Sequence, residues 1–188
     1  MTARPFLLFS LALTLLGLAG GCANYHLGTQ GKLAFQTLYI EPVKNSAAIP
    51  QATPVVSTQL REAFQRDGRV QLVASPELAD ATLKVTLLQY NRVVASVLPG
   101  DTGRARKFEI TLEATCTLLD RRTGAVIFEN RPVSALRQVF TGDDPARLEQ
   151  ESPGRPYVSN QLQAEYQVLP LLATTLADRV THTTLDVW

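Results

Sequence analysis

A chain of 188 residues with 18 Lys and Arg against 17 Asp and Glu is close to neutral, which excludes a general electrostatic attraction to nucleic acid. The length suits a single domain with its own hydrophobic core. Two cysteines and two histidines (His26 and His182) leave little material for a metal cluster or a histidine-based catalytic set, so no metal and no cofactor is expected.

In chain order, Met1–Pro5 carries one positive charge, Arg4, and Phe6–Leu18 is then a run of 13 residues without a charge. At about 1.5 Å per residue that run makes roughly 20 Å of helix, short of a hydrocarbon core of about 30 Å. A basic start, an apolar middle and small residues afterwards predict a secretory signal peptide over residues 1–21. Ala19-Gly20-Gly21 lead straight into Cys22, which resembles the bacterial lipobox, whose cysteine is cleaved at and acylated. Leu18 stands four residues before the cysteine, where the usual box has Leu three before. Cys22 is therefore the expected lipidation site, and two or more acyl chains suffice for stable anchoring without a spanning helix. Ala23 follows, not the Asp that usually retains bacterial lipoproteins in the inner membrane, so the expected location is the outer membrane, facing the periplasm. Once Arg4 is lost with the leader, 17 basic residues face 17 acidic ones. Cys116 is then the only remaining cysteine. It alternates with apolar residues, which predicts a buried, inert thiol.

Residues 22–32 form a lipidated tether, and 33–188 are expected to form one domain. Phe35, Leu38 and Ile40, with Thr37 and Tyr39 between them, predict a first strand closed by Pro42. Thr53 is the expected N-cap of a helix over 54–67 that begins with Pro54; Val56, Leu60 and Phe64 make its apolar stripe and Gly68 its stop. Val70–Val73 is a short strand and Ser75-Pro76-Glu77 a helical turn. Leu83, Val85 and Leu87 alternate with polar residues in a strand reaching about Ser96, and residues 97–107 are expected to be a loop. From Phe108 to Leu118 the alternation is strict, which requires one wet or partner-facing side. Asp120–Gly124 is a tight hairpin turn. Ala125–Phe140 returns, with Pro132 marking an edge or a bulge. Residues 141–158 contain three prolines and no apolar period, so they read as a long loop. Helical spacing returns from Ser159 through Leu162, Tyr166, Leu169, Ala173, Leu176 and Val180, where Pro170 is expected to kink or split the helix. The expected fold class is α+β, with two helices packed on one face of a single, mostly antiparallel sheet of four to five strands.

No HExxH, CxxC, GxSxG or phosphate-cradling glycine loop occurs, and Asp143-Asp144 reads as a solvated pair. An enzyme is not expected. Basic residues are unevenly spread: Arg92, Arg104, Arg106 and Lys107 gather around one end of the longest strand, and Arg121 and Arg122 at its other end. Arg131 and Arg137 lie on the return strand. The two ends of 108–119 are roughly 40 Å apart at about 3.3 Å per residue, so they cannot form one site.

Cys22 followed by Tyr25-His26-Leu27-Gly28 resembles the Cys-Gly-Tyr-His-Leu opening of the lipopolysaccharide-assembly lipoproteins, the LptE family. The likeness continues through Tyr39-Ile40-Glu41-Pro42 and Asn45, the LREAFQRDGRVQLV segment (60–73), Ala79-Asp80-Ala81-Thr82-Leu83 and the C-terminal amphipathic helix. Ala23 replaces the family's frequent Gly. The resemblance implies an outer-membrane lipoprotein that plugs the lumen of the LptD β-barrel and helps deliver lipopolysaccharide to the outer leaflet. The alternative is an adaptor or chaperone lipoprotein of another envelope complex, facing the periplasm. Lipopolysaccharide carries anionic phosphates that paired guanidinium donors suit. Arg104, Arg106 and Lys107, joined by Arg147 from the long loop, are the expected contacts.

Overall fold

The computed structural model describes residues 33–98, 101–140 and 161–186. Along the chain these form β1 (Thr37–Ile40), β2 (Lys44–Asn45), α1 (Ala52–Asp67), β3 (Gln71–Leu72), a 3-10 turn (Pro76–Leu78), β4 (Ala81–Leu98), β5 (Asp101–Asp120), β6 (Val126–Phe140) and α2 (Gln161–Leu185). The expected signal peptide, Cys22, the tether and the 141–158 loop lie outside the described residues.

The sheet runs β3-β1-β4-β5-β6, with β2 also paired to β4. The α+β architecture with two helices is as expected, but the sheet has six strands and is mixed. The β4/β5 and β5/β6 pairs are antiparallel, whereas β1 pairs parallel with both β3 and β4, and β2 parallel with β4. The strand that was not expected, β2, is two residues long, too short to show a side-chain period, whereas β3 falls within the expected short strand at Val70–Val73.

Helix α1 begins at Ala52, two residues before the expected start, and Thr53 is not its cap. The Thr53 hydroxyl instead accepts from Asn45 Nδ2 at 2.9 Å, and the same amide nitrogen donates to the Ile49 carbonyl at 2.9 Å. Pro54 falls in the first turn, where its missing N–H has no intrahelical acceptor to lose. Val56, Leu60 and Phe64 are fully buried, as the stripe requires. Gly68 closes the helix at φ +75°, its N–H donating to the Phe64 carbonyl at 3.1 Å.

One core lies between the helices and the sheet. Phe108, Ile110, Leu112, Ala114, Cys116 and Leu118 of β5 all enter it, while the residues between them are half-buried on the other face. On β4 the inward set changes parity. Leu83, Val85 and Leu87 face the helices, opposite Leu118, Cys116 and Ala114. Leu88 is then an unpaired extra residue, and Tyr90 and Arg92 take the inward register opposite Leu112 and Ile110. A second bulge on β6, with Asn130 at φ +48°, separates the Cys116/Arg131 pair from Leu118/Phe128. Pro132 lies two residues beyond it, on the strand at the sheet's edge.

Two expectations on the second half are corrected. Residues 97–107 are not one loop, because β4 extends to Leu98 and β5 begins at Asp101. Tyr166 is 63% exposed and does not belong to the apolar stripe of α2. The stripe is instead a pair of neighbouring rows (Val168, Leu169, Leu172, Ala173, Leu176, Ala177, Val180), since α2 packs against both α1 and β6. Pro170 does not split the helix, which runs unbroken from Gln161 to Leu185.

Candidate functional site

The expected basic residues lie toward the two ends of β5, Asp101–Asp120. At the β5/β6 turn, Asp120 Oδ1 accepts the backbone N–H of Arg122 at 2.8 Å, and Gly124 closes the turn at φ +71°. Arg122 donates to the Ala34 carbonyl, with its Nε 3.8 Å from Asp120 and 4.0 Å from Asp80. Asp80 in turn accepts the backbone N–H groups of Gln36 and Thr37 at 2.9 and 3.0 Å, and these bonds hold its carboxyl below the ordinary range. This end is a structural staple that fastens the hairpin turn to the start of β1.

At the opposite end, Lys107 pairs in register with Phe140 on one side and Ser96 on the other. Arg104 and Arg106 flank Ala105, which pairs with Val97. They are strand residues, not loop residues. Arg147 and Cys22 lie outside the described residues. Beside this end β4 exposes two adjacent valines, Val93 (60%) and Val94 (53%), opposite Glu109 and Phe108. Neither valine was singled out from the sequence, where they read only as the continuation of a strand.

Arg92 does not join the basic group. The parity change at Leu88 turns it to the helix side, where it ion-pairs with Glu165 of α2 and lies 5.8 Å from the Phe108 ring centroid. Next to it, burial first of all, and then the charge of Glu165, push the Tyr90 hydroxyl up to about 12. Arg131 and Arg137 are also committed to the helix side. Arg131 donates to the Thr183 carbonyl at 3.4 Å and stacks 4.4 Å from the Phe128 ring centroid. Arg137 donates to the Thr175 hydroxyl. Arg179, a residue that no sequence pattern marks, reaches from α2 to the Ser134 carbonyl.

Cys116 is fully buried as expected, and burial pushes its thiol up to about 12, so it holds its proton at neutral pH. His182 is exposed and bonds Asp186 at 3.0 Å. Among the described residues no cluster of three or more His, Cys, Asp or Glu could hold a metal ion, and no helix is long and apolar enough to cross a membrane.

The described residues form a two-layer α+β domain, two helices on one mixed sheet, with no metal cluster among them. The chain belongs to the LptE (lipopolysaccharide-assembly) family, whose profile matches residues 35–183. Similar solved structures include the uncharacterized lipoprotein B from Nitrosomonas europaea (16% identity, TM-score 0.50), with 85% of this chain and 92% of that one covered. A protein from Xanthomonas campestris gives 15% identity and a TM-score of 0.54, covering 83% and 87%. The rare lipoprotein B from Shewanella oneidensis gives 13% and 0.48, covering 80% and 95%. At these identities the first two establish a shared fold only. No curated protein matches the sequence.

Proposed function

We propose that the chain is a non-enzymatic outer-membrane lipoprotein, anchored through acyl chains on Cys22, that seats in an LptD-like β-barrel and helps pass lipopolysaccharide to the outer leaflet. The observation that carries this reading is the family match over 35–183, which spans both helices and the whole sheet except the end of α2. The outer end of the β4/β5 hairpin supports the choice of contact site. Arg104, Arg106 and Lys107, with Arg147 joining, would meet the glycolipid phosphates. The exposed Val93, on the sheet face away from the helices, would meet its acyl chains.

The test replaces Arg104, Arg106 and Lys107 together with Ser and measures binding of purified lipopolysaccharide at two ionic strengths. The expected result is weaker, less salt-dependent binding with barrel co-purification unchanged. Unaltered binding by the folded triple variant would overturn this contact site. Co-purification of the parent with a soluble periplasmic protein, and no barrel, would favour the adaptor reading.

A further inference from the structure

Strand β6 is an edge, and a long one: 15 residues, about 50 Å at about 3.3 Å per residue, with no described strand on its far side. The other edge, β3, is two residues long. A long free edge offers a row of unpaired N–H and C=O groups to any strand that approaches, above all to another copy of the same strand. The two edges therefore differ in the hazard they carry, and β6 shows where it is met.

A residue's N–H and C=O leave a strand on the same side, and the side alternates along the chain. Pro132 lies opposite Thr115 and has no N–H to give, so its bonding side is the outer one, as edge-strand prolines require. Ser134, Leu136 and Gln138 share that parity and turn their backbone groups outward. The Ser134 carbonyl accepts the guanidinium of Arg179 from α2. The Leu136 carbonyl lies 3.5 Å from Arg137 Nη1, while Nη2 of the same guanidinium donates to Thr175 of α2. Upstream, the bulge at Asn130 diverts the strand, and the Asn130 N–H donates to the Thr117 hydroxyl at 3.1 Å. From 130 to 136 these positions have an N–H already bonded (Asn130), no N–H (Pro132), or a carbonyl within reach of an arginine (Ser134 and Leu136).

We propose that the β6 edge is closed by Arg179 of α2 together with Arg137 of β6, which Thr175 of α2 holds in place, and that the partner they exclude is a second copy of this chain pairing antiparallel along β6. A twofold pairing centred on Ser134 would also set Arg131 against Arg137 of the other copy, like charges in direct opposition. Helix α2 thus has a second role beyond covering the core: it keeps the domain single.

The experiment weighs the full chain in detergent by native mass spectrometry over a concentration series and follows amide exchange over 132–138. The parent is expected to be monomeric, with fast exchange at 134, 136 and 138. The Pro132→Val/Arg137→Ser/Arg179→Ser variant restores a donor and frees two carbonyls. It should dimerise with an apparent Kd at least about ten-fold lower than the parent's and slow those three amides. The Arg137→Lys/Arg179→Lys variant keeps a donor at each carbonyl and should stay monomeric. A triple variant with the parent's circular dichroism that stays monomeric overturns the proposal, as does a parent already dimeric with these amides protected. Where the triple variant does not fold, Arg179→Ser alone is read by the same two measurements and the same criteria.

Discussion

Deleting Leu88 tests the parity change of β4 on which the placement of Arg92 rests. Between the Leu87/Ala114 and Gln89/Glu113 pairs β4 holds one residue more than β5, and that residue is Leu88, half-exposed at 44%. Without it the order Leu87, Gln89, Tyr90 reads inward, outward, inward, and both halves of the strand keep their faces. No core side chain is lost, so stability should change by less than about 1 kcal/mol and Tm by less than about 4 °C. Deleting Thr111 from β5 removes a residue that is paired on both sides, with Asn91 and with Leu136. Both ladders must then slip, and a one-residue slip exchanges faces. Phe108 and Ile110 would leave the core, at about 1.5–3 kcal/mol each, and Glu109 would turn toward it at a further cost of several kcal/mol. Together these approach the whole stability of a domain, about 5–15 kcal/mol. Far-UV circular dichroism melts of the two deletions against the parent measure the difference. A loss of more than about 10 °C in the Leu88 deletion, or a parent-like melt of the Thr111 deletion, would refute the register argument.

Phe64→Ala empties a fully buried position between α1 and the sheet and should cost about 3–5 kcal/mol; chemical denaturation that finds less than about 1 kcal/mol would show the site is not core. Thr82 is 4% exposed, and its hydroxyl has no hydrogen-bond partner among the described residues, so Thr82→Val should raise Tm by about 2–4 °C, and a fall would mean the hydroxyl is satisfied in solution. Arg69 holds Asp67 at 2.8 Å and Asp186 at 2.7 Å, and its hydrogen bonds are the main reason both carboxyls titrate below their ordinary value. Depressed carboxylates contribute stability above about pH 4 and lose it as the pH falls through their folded values. Arg69→Ala should therefore cost about 1 kcal/mol at pH 7 and progressively less below pH 4, and a cost that grows toward acid would contradict the assignment.

Where local pattern and tertiary role coincide, the sequence is a sufficient guide. The α1 stripe, its Gly68 stop and the β5 alternation each repeat over several turns or pairs, and each is set by contact with one layer. The misses share one cause, a partner distant in sequence. Strand β2 has two residues and exists only because β4 supplies its hydrogen bonds. Leu87-Leu88 looks like an uninterrupted strand, and only the opposing β5 shows which leucine is extra. Arg92 counts as a loop-end cation until that one-residue slip turns it toward Glu165, 73 residues away. Tyr166 fits a single stripe at helical spacing, yet α2 faces two neighbours and draws its buried residues from two adjacent rows.

The same distinction separates the basic residues that hold the fold from those proposed to meet a ligand. Arg122, Arg131, Arg137 and Arg179 each donate to a backbone carbonyl or a threonine hydroxyl of another element, and Arg92 is neutralised by a carboxylate. A guanidinium has five donors, so one of them on a carbonyl does not exhaust it, but the side chain is then fixed by the fold and cannot follow a ligand. Arg104 and Arg106 lie instead at the end of the hairpin farthest from the staple at Asp120, where the β4/β5 register is irregular and β4 presents Val93 and Val94 to solvent. An irregular ladder gives less to lose when a bulky glycolipid approaches, because fewer regular pairings must be held in place. That favours the 104–107 end over the 121–122 end as the place to look for the ligand. It also gives the comparison a sign: Arg122→Ala should lower Tm and leave lipopolysaccharide binding intact, whereas the Arg104/Arg106/Lys107 variant should do the reverse. If both sets move Tm alone, neither end of β5 is the contact.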